Sequence, residues 1–236
     1  MSERVALVVG GAGAVGGAVA RRLASRGARV VVNYFRNVAA GEQVVADIRA
    51  AGGEAVPAQA NVRNEEDAAR AVETGELFFG DINVLVTCAC AGPAEVNLGD
   101  LSRDELLLRQ LNAQLMGTLN VIRIVARGMA ARRSGRIVCV TGRHEPHPTL
   151  EQLATASNTP TALLARYATL GLTPYTISAY VVAPRSALGA ASSGGLAAYA
   201  RTSDARLATP EDVARTVACI AESEVASAIS AELIHA

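Results

Sequence analysis

Gly10-Gly11-Ala12-Gly13-Ala14-Val15-Gly16-Gly17 is the segment whose residue types and spacing speak most directly of chemistry. It follows a short β-branched run, residues 5–9, and precedes a helical pattern, residues 14–26. Gly11-x-Gly13-x-x-Gly16 in that setting matches a dinucleotide fingerprint. Glycines permit a tight turn and close approach of backbone to a pyrophosphate, and the helix start offers free N–H groups and the positive end of its dipole. The alternative is a purely structural strand–helix turn. Gly10, Gly11, Gly13, Val15 and Gly16 are therefore the expected phosphate-binding residues.

A second cluster is Thr141-Gly142-Arg143-His144-Glu145-Pro146-His147, which holds two of the chain's three histidines. His144 is the candidate acid, with Glu145 or Arg143 tuning it; the alternative is an exposed polar loop. His144 and His147 lack a third ligand, so no metal is expected. Cys88-Ala-Cys90 is too tight for the usual redox or zinc spacing. Tyr175 and Tyr180 are weaker acid candidates, each as readily a structural tyrosine.

The elements that must position these residues alternate along the whole chain. Strands are expected over 5–9, 29–33, 55–60, 83–87, 136–140, 177–182 and 227–235. Helices are expected over 14–26, 38–51, 64–74, 102–131, 161–172 and 210–221. Ser102 and Glu105 have capping-box spacing, and Asn61 or Asn64 is the expected cap of the third helix. Strict alternation implies an α/β fold: one doubly wound (Rossmann) parallel sheet with helices on both faces, in a single domain over residues 1–236. Residues 185–205, rich in Ser, Gly and Ala, leave the sixth strand as a lid or a surface loop.

The second strand ends Val32-Asn33-Tyr34-Phe35-Arg36. A carboxylate there would hold the ribose hydroxyl of NAD. Asn33 and Arg36 stand instead, so either Arg36 meets the 2′-phosphate of NADP or it is a solvated arginine.

Taken together, these segments resemble the short-chain dehydrogenase/reductase family, and most closely its 3-oxoacyl-carrier-protein-reductase-like branch. The resemblance rests on residues 6–20, 28–37, 52–62, 83–92, 115–118, 135–141, 182–184 and 207–213. It implies that Asn61 and Val62 border the adenine and that Cys88 stands in the signature after the fourth strand, where the family has Asn-Asn-Ala-Gly. Val9 and Ala14 replace a threonine and a glycine of its phosphate loop. It also implies an Asn-Ser-Tyr-Lys catalytic set, and alignment puts Gln114, Gly142, Ala154 and Asn158 at those positions. All four are replaced. Pro160 further disfavours a continuous helix through the tyrosine and lysine positions. The implied cofactor is NADP(H), bound weakly or not at all. The implied assembly is a homo-oligomer, dimer or tetramer, or a hetero-oligomer with an active family member. If the chain is catalytic, its substrate is a small or carrier-bound ketone.

Composition agrees. The 236 residues carry 22 basic and 22 acidic groups, a net charge of zero that speaks against nucleic acid or an anionic membrane as partner. Every basic residue is arginine. A chain without lysine holds no Schiff-base lysine, no P-loop lysine and no Tyr/Lys proton-transfer pair. The first residues read neither as a signal peptide nor as a spanning helix, and the protein is expected to be cytoplasmic.

Overall fold

The computed structural model describes residues 4–88, 103–141, 171–183, 208–223 and 233–235. Its strands are β1 (Val5–Val9), β2 (Arg29–Tyr34), β3 (Ala55–Gln59), β4 (Ile82–Thr87), β5 (Gly135–Val140), β6 (Ile177–Ala183) and β7 (Leu233–His235). Its helices are α1 (Ala14–Ser25), α2 (Val38–Ala50), α3 (Glu65–Phe79), α4 (Arg103–Arg132) and α5 (Pro210–Glu222). The described strands form one sheet in the order β3-β2-β1-β4-β5-β6-β7. Every neighbouring pair is parallel.

Parallel strands joined by crossover helices have both faces covered, which is why β1 and most of β2, β4, β5 and β6 read as apolar. Alternation then sorts the side chains. Ala6, Val8, Val30, Val32, Val84 and Val86 pack on one face with Val19 and Leu23 of α1 and Val213 and Val217 of α5. Val5, Leu7, Val9, Val31 and Leu85 pack on the other with Val72 of α3 and Val121, Val125 and Met129 of α4. Pro57 sits on the edge strand β3, exposed, where a missing N–H costs no ladder bond.

Helix starts follow their caps. Asn37 accepts from the Ala40 N–H, Asn64 from Asp67, and Thr209 forms a reciprocal capping box with Asp212. Asn64 is thus the cap of the third helix, which runs five residues past its expected end at Thr74, to Phe79. Ser102 and most of the expected helix over 161–172 lie outside the described residues. No helix among the described residues is long and apolar enough to cross a membrane.

Candidate dinucleotide site at the carboxyl edge of the sheet

The strand order reverses between β1 and β4, and in open parallel sheets that switch point is where ligands bind, beyond the carboxyl ends of the strands. The phosphate loop leaves β1 there. Gly10 has φ of 78°, a left-handed conformation costly to residues with a Cβ. Its carbonyl accepts from the Gly13 N–H at 3.0 Å, closing the turn. Gly11 donates its N–H to the Asn33 carbonyl at 2.7 Å, and a Cβ on Gly11 would meet Val32 Cγ1 at 2.5 Å. A Cβ on Gly16 would stand 2.2 Å from the Gly10 oxygen, so α1 rests directly on the loop.

Gly13 is the N-cap of α1 and supplies no side chain to its first turn, which also holds no acidic residue. By contrast, Asn37, Asn64 and Thr209 cap their helices with side-chain oxygens. The amides of the first turn of α1 are therefore presented to whatever occupies the loop, the arrangement that suits a phosphate. Ala14 opens the helix at an exposed position, and Val15 is half-buried against the apolar layer shared with α5. The tight glycine turn at Gly10 and the helix start without a side-chain cap both fit the pyrophosphate of a dinucleotide.

Neighbouring strand ends are tied into the same edge. The Cys88 N–H donates to the Val9 carbonyl at 2.8 Å, setting the half-buried Cys88 beside the loop. Asn33 is buried, and its amide nitrogen donates to the Ala58 and Ala60 carbonyls at 2.9 and 3.2 Å. Both amide hydrogens of Asn33 thus hold β2 to β3 rather than face outward. Arg36 is exposed two residues beyond β2, with its guanidinium 5.9 Å from the centre of the Phe35 ring. The turn carrying it is fixed from behind by Tyr34, whose ring seats where Gly41 of α2 lacks a Cβ. Burial pushes the Tyr34 hydroxyl pKa up, and the Glu42 carboxylate adds to the shift by charge and hydrogen bond.

At the end of β3, Asn61 Oδ1 accepts from Arg63 Nε at 3.1 Å and from the Arg63 N–H at 3.4 Å. Val62 is buried. Thr87 and Thr141 close the carboxyl ends of β4 and β5 as buried hydroxyl residues, and the Thr141 N–H donates to the Val182 carbonyl at 2.9 Å. The structure thus gathers Gly10, Gly11, Gly13, Val15, Gly16, Asn33, Arg36, Asn61, Val62 and Cys88 along one edge. Gln114 lies on α4. Gly142, Arg143, His144, Glu145, His147, Ala154, Asn158 and Pro160 lie outside the described residues.

The two tyrosines are elsewhere. Tyr180 is buried in mid-β6 opposite Val138. Tyr175 belongs to a 3₁₀ turn, Thr173–Tyr175, that enters β6 at the amino edge, opposite the loop. Sequence reading missed Asn120 of α4, whose amide reaches the loop after β3. An Asn set directly between Leu119 and Val121 in the apolar second half of the helix was the available signal.

A doubly wound parallel sheet with a glycine phosphate loop at its switch point is the architecture of a dinucleotide-binding domain. The family model for short chain dehydrogenase matches residues 4–193, and the chain belongs to that family. A 3-oxoacyl-[acyl-carrier-protein] reductase of Synechocystis is 36% identical over 149 residues, covering 60% of this chain and 56% of that protein. The corresponding reductase of Staphylococcus epidermidis is 31% identical over 147 residues, covering 59% and 56%. The chain thus aligns with little more than half the length of these relatives.

Among solved structures, a metagenomic short-chain oxidoreductase in complex with NADP superposes with a TM-score of 0.81 at 28% identity, covering 99% of this chain and 97% of that one. A single-substitution variant of actinorhodin polyketide ketoreductase with NADPH superposes with a TM-score of 0.86 at 25% identity, covering 99% and 95%.

Proposed function

We propose that this chain is an NADP(H)-binding member of the family in which the usual tyrosine–lysine carbonyl reduction is lost, and that it serves as a non-catalytic subunit. It would do so in a homo-oligomer or paired with an active relative. The observation that carries the reading is the co-occurrence of a tight glycine turn at an uncapped helix start, altered at Val9 and Ala14, with a sequence that contains no lysine. The reductase relatives and the NADP-bound and NADPH-bound structural neighbours support the cofactor and the class of chemistry.

NADPH is a hydride donor; in this reading the chain's own residues would bind and orient the cofactor without the groups that complete a carbonyl reduction. The N–H groups of the first turn of α1 would take the pyrophosphate, Arg36 the 2′-phosphate, and the Asn61–Val62 segment the base side. A general acid, its pKa tuner and a carbonyl anchor are each worth roughly 10²–10³-fold or more, so their joint replacement by Ala154, Asn158 and Gly142 leaves little standard turnover.

The experiment is co-purification from the native cell, with NADPH oxidation assayed on acetoacetyl-type substrates. The expected result is no turnover by the isolated chain, recovery of a mixed oligomer, and all activity in the other subunit. Restoring A154Y with N158K should not create activity, because Gly142 still offers no anchor. The sequence cluster after β5 supports a second reading, an atypical NADPH-dependent ketoreductase built around His144. A homo-oligomer that turns over a ketone, and loses this with H144A, would establish that reading and overturn the first.

A further inference from the structure

Among the described residues, a side chain of α4 holds the turn between β3 and α3 from behind. Asn120 on α4 is buried, and its amide nitrogen donates to the Val62 carbonyl and to the Arg63 carbonyl, each at 3.1 Å. These use both of its hydrogens. α4 also packs directly on this turn: a Cβ on Gly117, three residues earlier, would lie 3.0 Å from Val62 Cγ2.

A trans peptide is planar, with its C=O and N–H pointing in opposite directions. Pinning the Val62 and Arg63 carbonyls toward α4 therefore aims the two following N–H groups, of Arg63 and Asn64, away from it. Both reach Asn61: the Arg63 N–H meets Asn61 Oδ1 at 3.4 Å, and the Asn64 N–H meets the Asn61 carbonyl at 2.9 Å. Arg63 Nε adds a second donor to the same Oδ1 at 3.1 Å. Arginine and backbone N–H groups only donate, so the Asn61 oxygen is committed to Arg63 and its NH₂ must face the other way. β3 lies next outward from β2, whose end carries the ribose-side residues Asn33 and Arg36. The turn at 61–64 thus borders the base end of a dinucleotide lying along this edge.

We infer that Asn120 is a positioning residue for the base end of the nucleotide site, acting through the peptide planes of Val62 and Arg63 on the carboxamide of Asn61. The inference rests on the cofactor reading above. Asn120 touches no ligand; it sets which group of Asn61 the ligand meets.

The test is calorimetric binding of adenosine 2′,5′-bisphosphate, the adenosine half of NADP, and of NADPH, to the full chain in a double-mutant cycle. N120S should weaken both ligands by about tenfold, and by less than about twofold when N61A is already present, because coupled residues act non-additively. A generally loosened structure would lose affinity equally in both backgrounds, and that result overturns the proposal, as does unchanged affinity in N120S. If N120S does not fold, hydrogen exchange on the unaltered protein decides: adenosine 2′,5′-bisphosphate should slow exchange at the Arg63 and Asn64 amides, and no slowing there overturns the proposal. Failure of the unaltered protein to bind either ligand overturns the cofactor reading as well and is distinct from these outcomes.

Discussion

Gly16 and Gly10 touch through their backbones: a methyl group on Gly16 would sit 2.2 Å from the Gly10 oxygen and 2.8 Å from its carbonyl carbon. Both atoms belong to backbone and cannot rotate away. G16A must therefore lift α1 from the loop, at about 1–3 kcal/mol, the usual cost of overpacking. It should lower the melting temperature and abolish NADPH binding by calorimetry. Unchanged melting and binding would mean that the loop and α1 are not in this contact.

Arg36 stands exposed beyond β2, where no carboxylate is present to take a ribose hydroxyl. R36A should weaken NADPH about tenfold or more, the scale of a lost charge-assisted contact to phosphate, and leave NADH within about twofold. No loss for either cofactor would assign Arg36 to the solvated surface, and an equal loss for both would set it against a group that NADH shares.

The ends of α1 and α5 are joined by a two-pronged ion pair, with Arg26 Nε and Nη2 donating to Glu222 Oε1 and Oε2 at 2.6 and 2.8 Å. The Arg26 hydrogen bond chiefly holds the Glu222 pKa below its ordinary 4.5, against a smaller opposing effect of burial. A carboxylate depressed in the folded state contributes stability above its unfolded pKa and loses it as pH falls through the folded one. E222Q should therefore melt slightly earlier at neutral pH and converge with the unaltered protein in acid below pH 4.5. The half-exposed arginine keeps the difference small. Parallel melting curves at all pH values would remove the pair from the stability balance.

Three cysteines differ sharply in access. Cys139 is buried in β5, and desolvation pushes its pKa up to about 11 despite a hydrogen bond with Thr87. Cys219 is exposed on α5 and Cys88 is half-buried. Alkylation by iodoacetamide at neutral pH, read by peptide mass, should modify Cys219 first and Cys139 only after unfolding, because the thiolate is the nucleophile. Early labelling of Cys139 would contradict its placement in the core.

The sheet was legible in the chain because its strands are short, mainly apolar runs, several of them closed by glycine as at Gly10 and Gly142, and because they alternate with longer helical segments. The phosphate loop was legible because its glycines are contiguous and its context is local. The absence of lysine is a property of the sequence alone and bears directly on chemistry. Other features needed the tertiary structure, because their partners are far apart in sequence. Asn33 sits where a ribose ligand is expected, yet its amide hydrogens go to Ala58 and Ala60, 25 and 27 residues on. Asn120 reads as one more polar residue of a long helix until its amide is seen on carbonyls 58 and 57 residues earlier. Asn61 was legible as a position but not as an orientation, which Arg63 and the peptide planes behind it decide. Buried amides must satisfy their hydrogens, and only the folded chain determines which carbonyls come within reach.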